Sequence, residues 1–253
     1  MDIDLIKKRL NQLQTTTSTK DNFWKPIPGK TQIRVVPYKY NKDNPFIELY
    51  FHYNLGDNKT YMSPVSFGRP DPVQEFADKL KSTGDRDEWI QGKKLEPKMR
   101  TFVPVVVRGQ EKDGVKFWGF GKTVYQELLS FIADPDYGDI ADPLNGRDVV
   151  VEKITPQEAG NQFGKVTIRV KPNQSALTDN ADVLTKLIDG QTELVDLYKE
   201  PEYDELKEAL ASYLNPEDSN DESDDNSEKS SETTSKASKT TDVEDAFDKL
   251  FND

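Results

Sequence analysis

The sequence predicts an α+β fold that is mainly β, with helices inserted in the connections between strands. Residues 32–36 and 46–53 alternate apolar and polar side chains, as half-buried strands do. Other segments, such as 181–214, repeat apolar residues at helical spacing. About two hundred residues are sufficient for one sizeable core, to which a small lobe could be attached.

The chain begins with a short basic helix. Residues 3–14 place apolar side chains at helical spacing and carry Lys7, Lys8 and Arg9 on the polar side. The polar residues 15–21 follow this helix. We therefore expect it to be an arm outside the core.

A second helix has clear start and end signals. Asp71 suits the N-cap, Pro72 the first helical position and Gln74 the third position of a capping box. Gly84 marks the end of the helix.

Two hairpins are predicted after that helix. Glycines in the connections 109–114 and 160–164 favour turns between apolar strands. The paired strands are 102–107 with 115–120 and 148–154 with 165–170. Helices over 122–133 and 181–214 complete the fold.

The C-terminal residues 215–253 hold most of the negative charge. Thirteen Asp or Glu minus four Lys give about −9 of the formal −12, so residues 1–214 carry only about −3. The Ser- and Thr-rich stretch 216–241 is predicted to be a disordered tether, because it cannot bury enough apolar surface to offset its ordering entropy. The apolar helix face of the tip beyond it comprises Val243, Ala246, Phe247, Leu250 and Phe251. We predict that this tail docks partner proteins and competes as an anion with the ligand of the body; the alternative is a purely solubilising tail.

Composition excludes several classes of site. The chain has no cysteine, which excludes disulfides, thiolate zinc sites and a cysteine nucleophile. His52 is the only histidine, so a Ser-His-Asp triad or a two-histidine metal site is not expected. Gly119 and Gly121 lack the spacing of a phosphate-binding loop. The amino end has no apolar signal region, and no apolar run reaches membrane-spanning length. We therefore expect a soluble, intracellular protein without a cofactor or metal.

The most cationic stretch, residues 91–122, has eight Lys or Arg against three acids, with aromatic residues between them. Single-stranded nucleic acid requires this combination, since cations follow the phosphates and aromatic rings stack on bases. The candidate binding residues here are Trp89, Lys93, Lys94, Lys98, Arg100, Phe102, Lys116, Trp118, Phe120 and Lys122. Stacking is expected at Trp118 or Phe102; the alternative is that these rings belong to the core and the cations to a solvated face. Composition leaves single-stranded DNA, RNA and anionic proteins open as ligands.

The order and spacing of several segments resemble the single-stranded DNA-binding, helix-destabilising proteins of T-even-type tailed bacteriophages and their cyanophage relatives. The similar segments are 23–37, 46–61, 68–76 (GRPDPVQEF), 115–122 (VKFWGFGK), 173–176 (NQSA) and the acidic tail with its apolar tip. The resemblance implies an oligonucleotide/oligosaccharide-binding (OB) fold with a cationic cleft for single-stranded DNA.

The resemblance also assigns roles to residues in the cleft. Phe102 and Trp118 fall on positions where the family has cleft tyrosines, and Lys122 matches a lysine directly. Gly119 replaces an arginine of the family, which removes one cation. Phe163 lies near a further cleft aromatic.

The basic arm is similar to the family's cooperativity motif, through Lys7, Lys8 and Arg9. Leu10 departs from that motif, because the family continues it with polar residues. The similarity at Lys7, Lys8 and Arg9 implies self-association of the protein along the DNA strand.

Zinc is the main departure from the family. Its type member holds zinc with one His and three Cys, and His52 corresponds to that histidine. The cysteine positions fall near Val65 and on Asp71 and Gln74. One imidazole and one carboxylate do not make a structural zinc site. We therefore expect no metal, with Asp71 and Gln74 serving as helix-capping residues.

The function that follows is non-enzymatic coating of single-stranded DNA in phage replication, recombination and repair, in the host cytoplasm. Partners would be single-stranded DNA, further copies of the chain, and phage polymerase, helicase/primase-loading and recombination proteins held by the tail at Val243, Phe247, Leu250 and Phe251. The alternatives are a metal-dependent nuclease using Asp134, Asp136 and Asp139, and a phage scaffold protein. The expected regions are an arm (1–20), an OB-fold core (21–214) and a disordered acidic tail (215–253).

Overall fold

Strands and helices are mixed along the chain, which confirms the predicted α+β class. The structure, a computed structural model, describes residues 22–56, 59–215, 246–247 and 250–251. Two compact units divide the chain: unit 1 comprises residues 1–48 and 100–198, and unit 2 comprises residues 49–99 and 199–253. The predicted basic arm lies outside the described residues.

Within residues 22–215, the described part of the chain contains eight strands, six α-helices and three short 3-10 helices. The strands are β1 (Phe23–Trp24), β2 (Gly29–Val35), β3 (Ile47–Leu55), β4 (Lys59–Met62), β5 (Lys98–Val107), β6 (Lys116–Phe120), β7 (Arg147–Ile154) and β8 (Lys165–Gln174). The helices are α1 (Pro72–Ser82), α2 (Arg86–Leu95), α3 (Lys122–Ala133), α4 (Pro156–Ala159), α5 (Ala181–Asp189) and α6 (Tyr203–Leu214).

Unit 1 is built on a sheet with the strand order β1-β6-β5-β2-β7-β8. Both predicted hairpins are present as antiparallel pairs, β5 with β6 and β7 with β8. Strand β2 joins them because it pairs antiparallel with both β5 and β7.

Both faces of this sheet are covered in unit 1. On one face, a buried cluster includes Ile33, Val105 and Trp118 with Leu128 of α3. A second cluster lies on the other face. It comprises Leu187 of α5 together with Val36, Val106 and Leu177. Strand β5 is therefore buried along most of its length, and its sequence reads as an apolar run without alternation.

Unit 2 is a helical cluster that packs against a short hairpin of β3 and β4. Asp71 caps α1 as predicted, since its side chain accepts hydrogen bonds from the backbone amides of Val73 and Gln74. Helix α2 was not predicted, although Asp85 caps it through the amides of Asp87 and Glu88.

The prediction that residues 181–214 are helical holds at both ends of this range, but the structure has two α-helices there with a connection between them. Helix α5 ends at Asp189 and α6 begins at Tyr203. Gly190 caps the end of α5, and Pro201, buried just before α6, cannot continue a helix from the preceding turn.

A buried ion cluster fixes several parts of unit 1. Asp148 on β7 accepts hydrogen bonds from Nε of Arg34 at 2.8 Å and from Nε of Arg108 at 3.0 Å. Gln32 donates a further bond to the same carboxylate, at 2.5 Å. Arg34 is fully buried, so its charge is tolerated only because Asp148 pairs with it.

The two arginines also hold the segment that contains the NQSA motif. Arg34 donates to the carbonyl and hydroxyl oxygens of Ser175, at 2.9 and 2.6 Å. Arg108 donates to the carbonyl oxygens of Ala176 and Leu177, at 3.1 and 2.6 Å. In this structure the motif therefore serves to anchor the chain after β8 to β2 and β5.

We predict that Asp148→Asn destabilises the protein by about 3–5 kcal/mol near neutral pH, because it leaves two arginine charges without their counter-ion. Burial alone would raise the pKa of Asp148, but the hydrogen bond from Arg108 and the charges of Arg34 and Arg108 hold it below its ordinary value. The stabilisation is thus present above the unfolded pKa, near 3.9, and is lost as pH falls through the lower folded pKa. Urea unfolding as a function of pH measures both effects.

Glu152→Gln is the matched control on the same strand. Its partner Lys30 is 3.7 Å away and both side chains are exposed, so the change should cost no more than about 1 kcal/mol. Equal losses in the two variants would contradict a special role for Asp148.

Candidate functional site

The predicted cations lie at the surface, and they belong to both units. Unit 2 carries the predicted binding residues Trp89, Lys93, Lys94 and Lys98, and unit 1 carries Arg100, Phe102, Lys116, Trp118, Phe120, Lys122 and Phe163. All the predicted lysines and the arginine are exposed except Lys116, which is half-buried. They therefore provide positive charge that an anionic ligand can reach.

Helix α2 presents an exposed ring beside its lysines. The side chain of Trp89 is 46% exposed, and Nζ of Lys93 lies 5.8 Å from the centre of its ring. Lys98 extends the basic surface and donates to the carbonyl oxygen of Lys93 at 3.0 Å. An indole next to cations can stack on a base while the cations meet phosphates.

Close packing on α1 positions α2. A Cβ atom at Gly92 would lie 2.6 Å from the carbonyl oxygen of Ala77, so only glycine permits this approach. An ion pair also joins the two helices. The ammonium group of Lys81, on α1, lies 2.7 Å from the carboxylate of Glu96, directly after α2. Trp89 therefore lies on a helix whose position on α1 is fixed by close packing and by an ion pair.

A shallow depression of about 240 Å³ in unit 2 adds two tyrosines to this region. Tyr53 and Tyr213 are both exposed, and Lys94 lines the same depression. Neither tyrosine was predicted as a site residue. Helical spacing could not have identified Tyr213, because it lies seven residues after Leu206 and three after Leu210, on nearly the same face of α6.

The depression contains an irregular piece of backbone. Asn54 has a φ of 58°, a left-handed conformation that asparagine tolerates better than most residues. The pairing of β3 with β4 shifts register between His52 and Leu55. This bulge breaks the strand alternation, so the exposure of Tyr53 could not be predicted from it.

Three predicted stacking residues lie in the core of unit 1. Trp118 is only 1% exposed and packs edge-on against Trp24 and Phe120, with ring centres 5.5 and 4.7 Å away. Phe120 is also buried, and the buried ring of Phe102 contacts Phe23 and Tyr198. A base cannot reach rings packed in this way. The structure thus corrects the stacking roles expected for Phe102, Trp118 and Phe120.

The glycine that replaces a family arginine has a packing explanation. Gly119 pairs across the strands with Phe102, and a Cβ atom at Gly119 would lie 2.7 Å from the phenyl ring. Arg100 covers the same place and donates to the carbonyl oxygen of Gly119 at 2.8 Å. The missing cation at 119 is thus accompanied by an exposed arginine on the neighbouring strand.

Two further predicted residues of unit 1 are accessible. Phe163, in the connection between β7 and β8, is 85% exposed, and its amide donates to the side chain of Asn161 at 2.9 Å. Lys122 is the first residue of α3, whose N-cap, Gly121, provides no side-chain hydrogen bond. Backbone amides and a lysine at that helix end favour negative charge nearby.

His52 is part of a buried hydrogen-bonded cluster in unit 2. Its Nδ1 lies 2.9 Å from the carbonyl oxygen of Leu95, and its Nε2 lies 2.9 Å from Oδ2 of Asp71. Because a carbonyl oxygen can only accept, Nδ1 donates to Leu95. Ser63 donates to the same carboxylate. Burial alone would raise the pKa of Asp71, but the hydrogen bond and charge of His52 hold it below its ordinary value.

These residues do not fit the zinc that the family resemblance implies. A structural zinc ion takes four nitrogen or sulfur ligands, whereas both nitrogens of His52 are engaged and the chain has no cysteine. Oδ1 of Asp71 caps α1, so this carboxylate is also fully used. His52 and Asp71, which the resemblance aligns with metal ligands, are instead joined by a hydrogen bond.

The acids considered for a nuclease serve local turns. Asp134 accepts from the amide of Asp136 at 3.0 Å, and Asp139 accepts from the amide of Ala141 at 2.8 Å. Across the described ranges, no group of three or more His, Cys, Asp or Glu could hold a metal ion.

The remaining predicted residues lie in the arm and the tail. Lys7, Lys8, Arg9 and Val243 are outside the described residues. Phe247, Leu250 and Phe251 are described, and they pack against the apolar cluster of unit 2.

Comparison with known families gives one match. Residues 28–215, more than two thirds of the chain, match the family described as "gp32 DNA binding protein like". No curated protein matches the chain. Within the described part of the chain, no helix is long and apolar enough to cross a membrane.

We predict that His52→Ala costs about 3–5 kcal/mol of unfolding free energy, because it leaves the buried Asp71 carboxylate without its partner. Asp71→Asn removes the charge but keeps a good N-cap, whereas Asp71→Ala should cost a further 0.5–2 kcal/mol or so through the lost cap. The Asp71 contribution is present above its unfolded pKa and is lost as pH falls through the lower folded pKa. Urea titrations at several pH values measure these differences.

Metal analysis provides the control for this cluster. Protein purified without chelator should contain no stoichiometric zinc, and chelator should leave its melting temperature unchanged. Bound zinc together with a lower melting temperature on chelation would contradict the assignment.

Proposed function

We propose, from the premise that the chain belongs to the gp32 DNA binding protein like family, that it coats single-stranded DNA without catalysing a reaction. The observation that carries this proposal is the family match over residues 28–215. The basic surfaces with accessible rings support it, because stacking and phosphate contacts need no sequence preference.

Coating acts by mass action. A protein that binds the single strand and not the duplex lowers the free energy needed to melt the duplex, in proportion to the logarithm of its free concentration. No bond is made or broken, so we propose a non-enzymatic role. The turn functions of Asp134 and Asp139 give the nuclease alternative no support.

The proposed contacts divide between charge and stacking. Lys93, Lys94, Lys98, Arg100, Lys116 and Lys122 would meet phosphates. Trp89 and Phe163 would stack on bases, since both rings are exposed, and Tyr53 and Tyr213 are further candidates. We propose that an OB-fold arrangement of the β-rich core underlies this binding, as the family resemblance implies.

The terminal regions would connect the coated strand to other proteins. The arm with Lys7, Lys8 and Arg9 would link neighbouring copies along the strand. The acidic tail would recruit phage polymerase, helicase/primase-loading and recombination proteins in the host cytoplasm, in replication, recombination and repair.

Trp89→Ala and Phe163→Ala should each weaken binding to oligo-dT by roughly 1–3 kcal/mol and leave the salt dependence unchanged, because stacking releases no counter-ions. Lys98→Ala or Arg100→Ala should instead flatten the slope of log K against log salt by about one unit. Anisotropy titrations of dye-labelled oligo-dT over a range of salt concentrations measure both quantities, since this signal does not depend on the replaced tryptophan.

Leu144→Ala is the control, because Leu144 is a similarly exposed apolar residue with no proposed role. A salt-independent affinity, or full affinity in both aromatic variants, would overturn the proposed interface. Strand cleavage in magnesium would overturn the non-enzymatic role.

Truncation after Leu214 should tighten binding to single-stranded DNA at low salt, because it removes about −9 of charge. The gain should fade as salt screens the charges over a Debye length of about 10 Å at 0.1 M. Affinity measured at several salt concentrations tests this, and recruitment of partner proteins should be lost.

Two full-length variants separate charge from docking. Replacing the acids of residues 217–232 by Asn or Gln should tighten DNA binding and retain recruitment. Phe247→Ala with Phe251→Ala should lose recruitment without removing charge. Unchanged DNA affinity after truncation at low ionic strength would reduce the tail to a docking segment.

A further inference from the structure

The apolar tip of the tail packs on unit 2 of its own chain. Ala246, Phe247, Leu250 and Phe251 contact a cluster formed mainly by α1 and α6. The ring of Phe247 meets Phe76 of α1 edge-on, with centres 5.9 Å apart. Phe251 lies against Phe247, with ring centres 4.9 Å apart. The rings predicted to hold partners are therefore half-buried in the free protein.

A polar contact accompanies these apolar ones. Nζ of Lys207, on α6, donates to the carbonyl oxygen of Phe251 at 3.0 Å and lies 5.1 Å from the centre of its ring. The last carbonyls of a helix have no partner within the helix, and a cation there is favourable. Lys207 thus provides a hydrogen bond to a carbonyl oxygen at the end of the tip, and its charge lies close to the ring of Phe251.

The surface under the tip is suited to an amphipathic helix. Leu206 and Leu210 on α6 are fully buried and Leu214 is half-buried, in a row one helical turn apart. Apolar side chains one turn apart on the tip pack against the cluster that contains this row. This arrangement is the helix-in-groove mode of recognition.

We propose that this surface of α1 and α6 is an intramolecular docking site for the segment 246–251, so that the free protein keeps its own tail tip bound. The segment 216–245, thirty residues, joins the end of α6 to the tip. A connection of this length gives the tip an effective concentration in the millimolar range at its site, so a second copy competes poorly at ordinary protein concentrations.

Docking has two consequences. The acidic segment 216–245, with eleven acids minus three lysines or −8, is held at both ends on unit 2, which also carries Lys93, Lys94 and Lys98. A partner for the tip must also displace it from α1 and α6, so the apparent affinity of the partner is its intrinsic affinity multiplied by the undocked fraction. This second consequence rests on the proposed recruiting role of the tail.

A pair of spin labels tests the docking in the full chain. The chain has no cysteine, so two introduced cysteines are unique labelling sites. Ser212→Cys places one label at an exposed position of α6, and Asn252→Cys places the other next to the tip in the sequence. The thirty-nine residues between these sites would span about 35 Å root-mean-square as a flexible chain, with a broad distribution. Docking predicts a narrow distribution at shorter distance, unchanged on dilution with unlabelled protein.

Variants identify what holds the tip. Phe247→Asp with Phe251→Asp should convert the narrow distribution to the broad one while the melting transition of the body persists. Lys207→Glu should increase the broad fraction severalfold. Lys199→Glu makes the same charge change at an exposed lysine of unit 2 and should leave the distribution unchanged.

Three outcomes would overturn the proposal. A broad distribution in the labelled parent chain would show that the tip is not docked. A narrow distribution that survives both Phe→Asp changes would place the anchor elsewhere. A narrow distance that disappears on dilution with unlabelled chain would show that the tip binds a second copy. None of these measurements contains DNA or a partner protein, so their failure is distinct from failure of the proposed function.

Discussion

The carboxylate of Asp148 is the interaction on which unit 1 most depends. It receives Arg34 from β2 and Arg108 from the end of β5, and the same two guanidinium groups bind the backbone of residues 175–177. The chain after β8 lies outside the strand pairing; the two arginines hold it together with backbone bonds from the amides of Ser175 and Leu177. Because a buried charge requires its partner, each strand of this cluster constrains the position of the others. One carboxylate and two guanidinium groups thus connect β2, β5 and β7 to the segment that follows β8.

Most elements of the fold could be predicted from local pattern. Alternation identified β2 and part of β3, and the capping residues around Asp71 identified α1. Helix α2 was missed because it has few apolar residues, although Asp85 gives it a proper cap. The division between α5 and α6 was missed because both helices are apolar enough to read as one. Gly190 and Pro201 were the available signals.

In the candidate site, the charged residues could be predicted from the sequence and the aromatic residues could not. Charged residues are solvated wherever they can be, so the exposed lysines of α2 and the arginine of β5 could be predicted from composition. Aromatic residues could not be assigned by alternation, since both faces of β5 and β6 are covered. Trp118 and Phe117 point to opposite faces of β6, yet both are buried. Alternation distinguishes one face from the other but does not reveal which face meets solvent.

The contact between Phe102 and Gly119 couples two positions that are far apart in the sequence. An arginine at position 119 would require the phenyl ring at 102 to move, because the Cβ atom of the arginine would otherwise overlap that ring. The two substitutions are therefore non-additive, and their order matters. A relative with an arginine at the position of Gly119 should therefore place the ring at the position of Phe102 differently. Exchanges at these two positions of neighbouring strands should occur together.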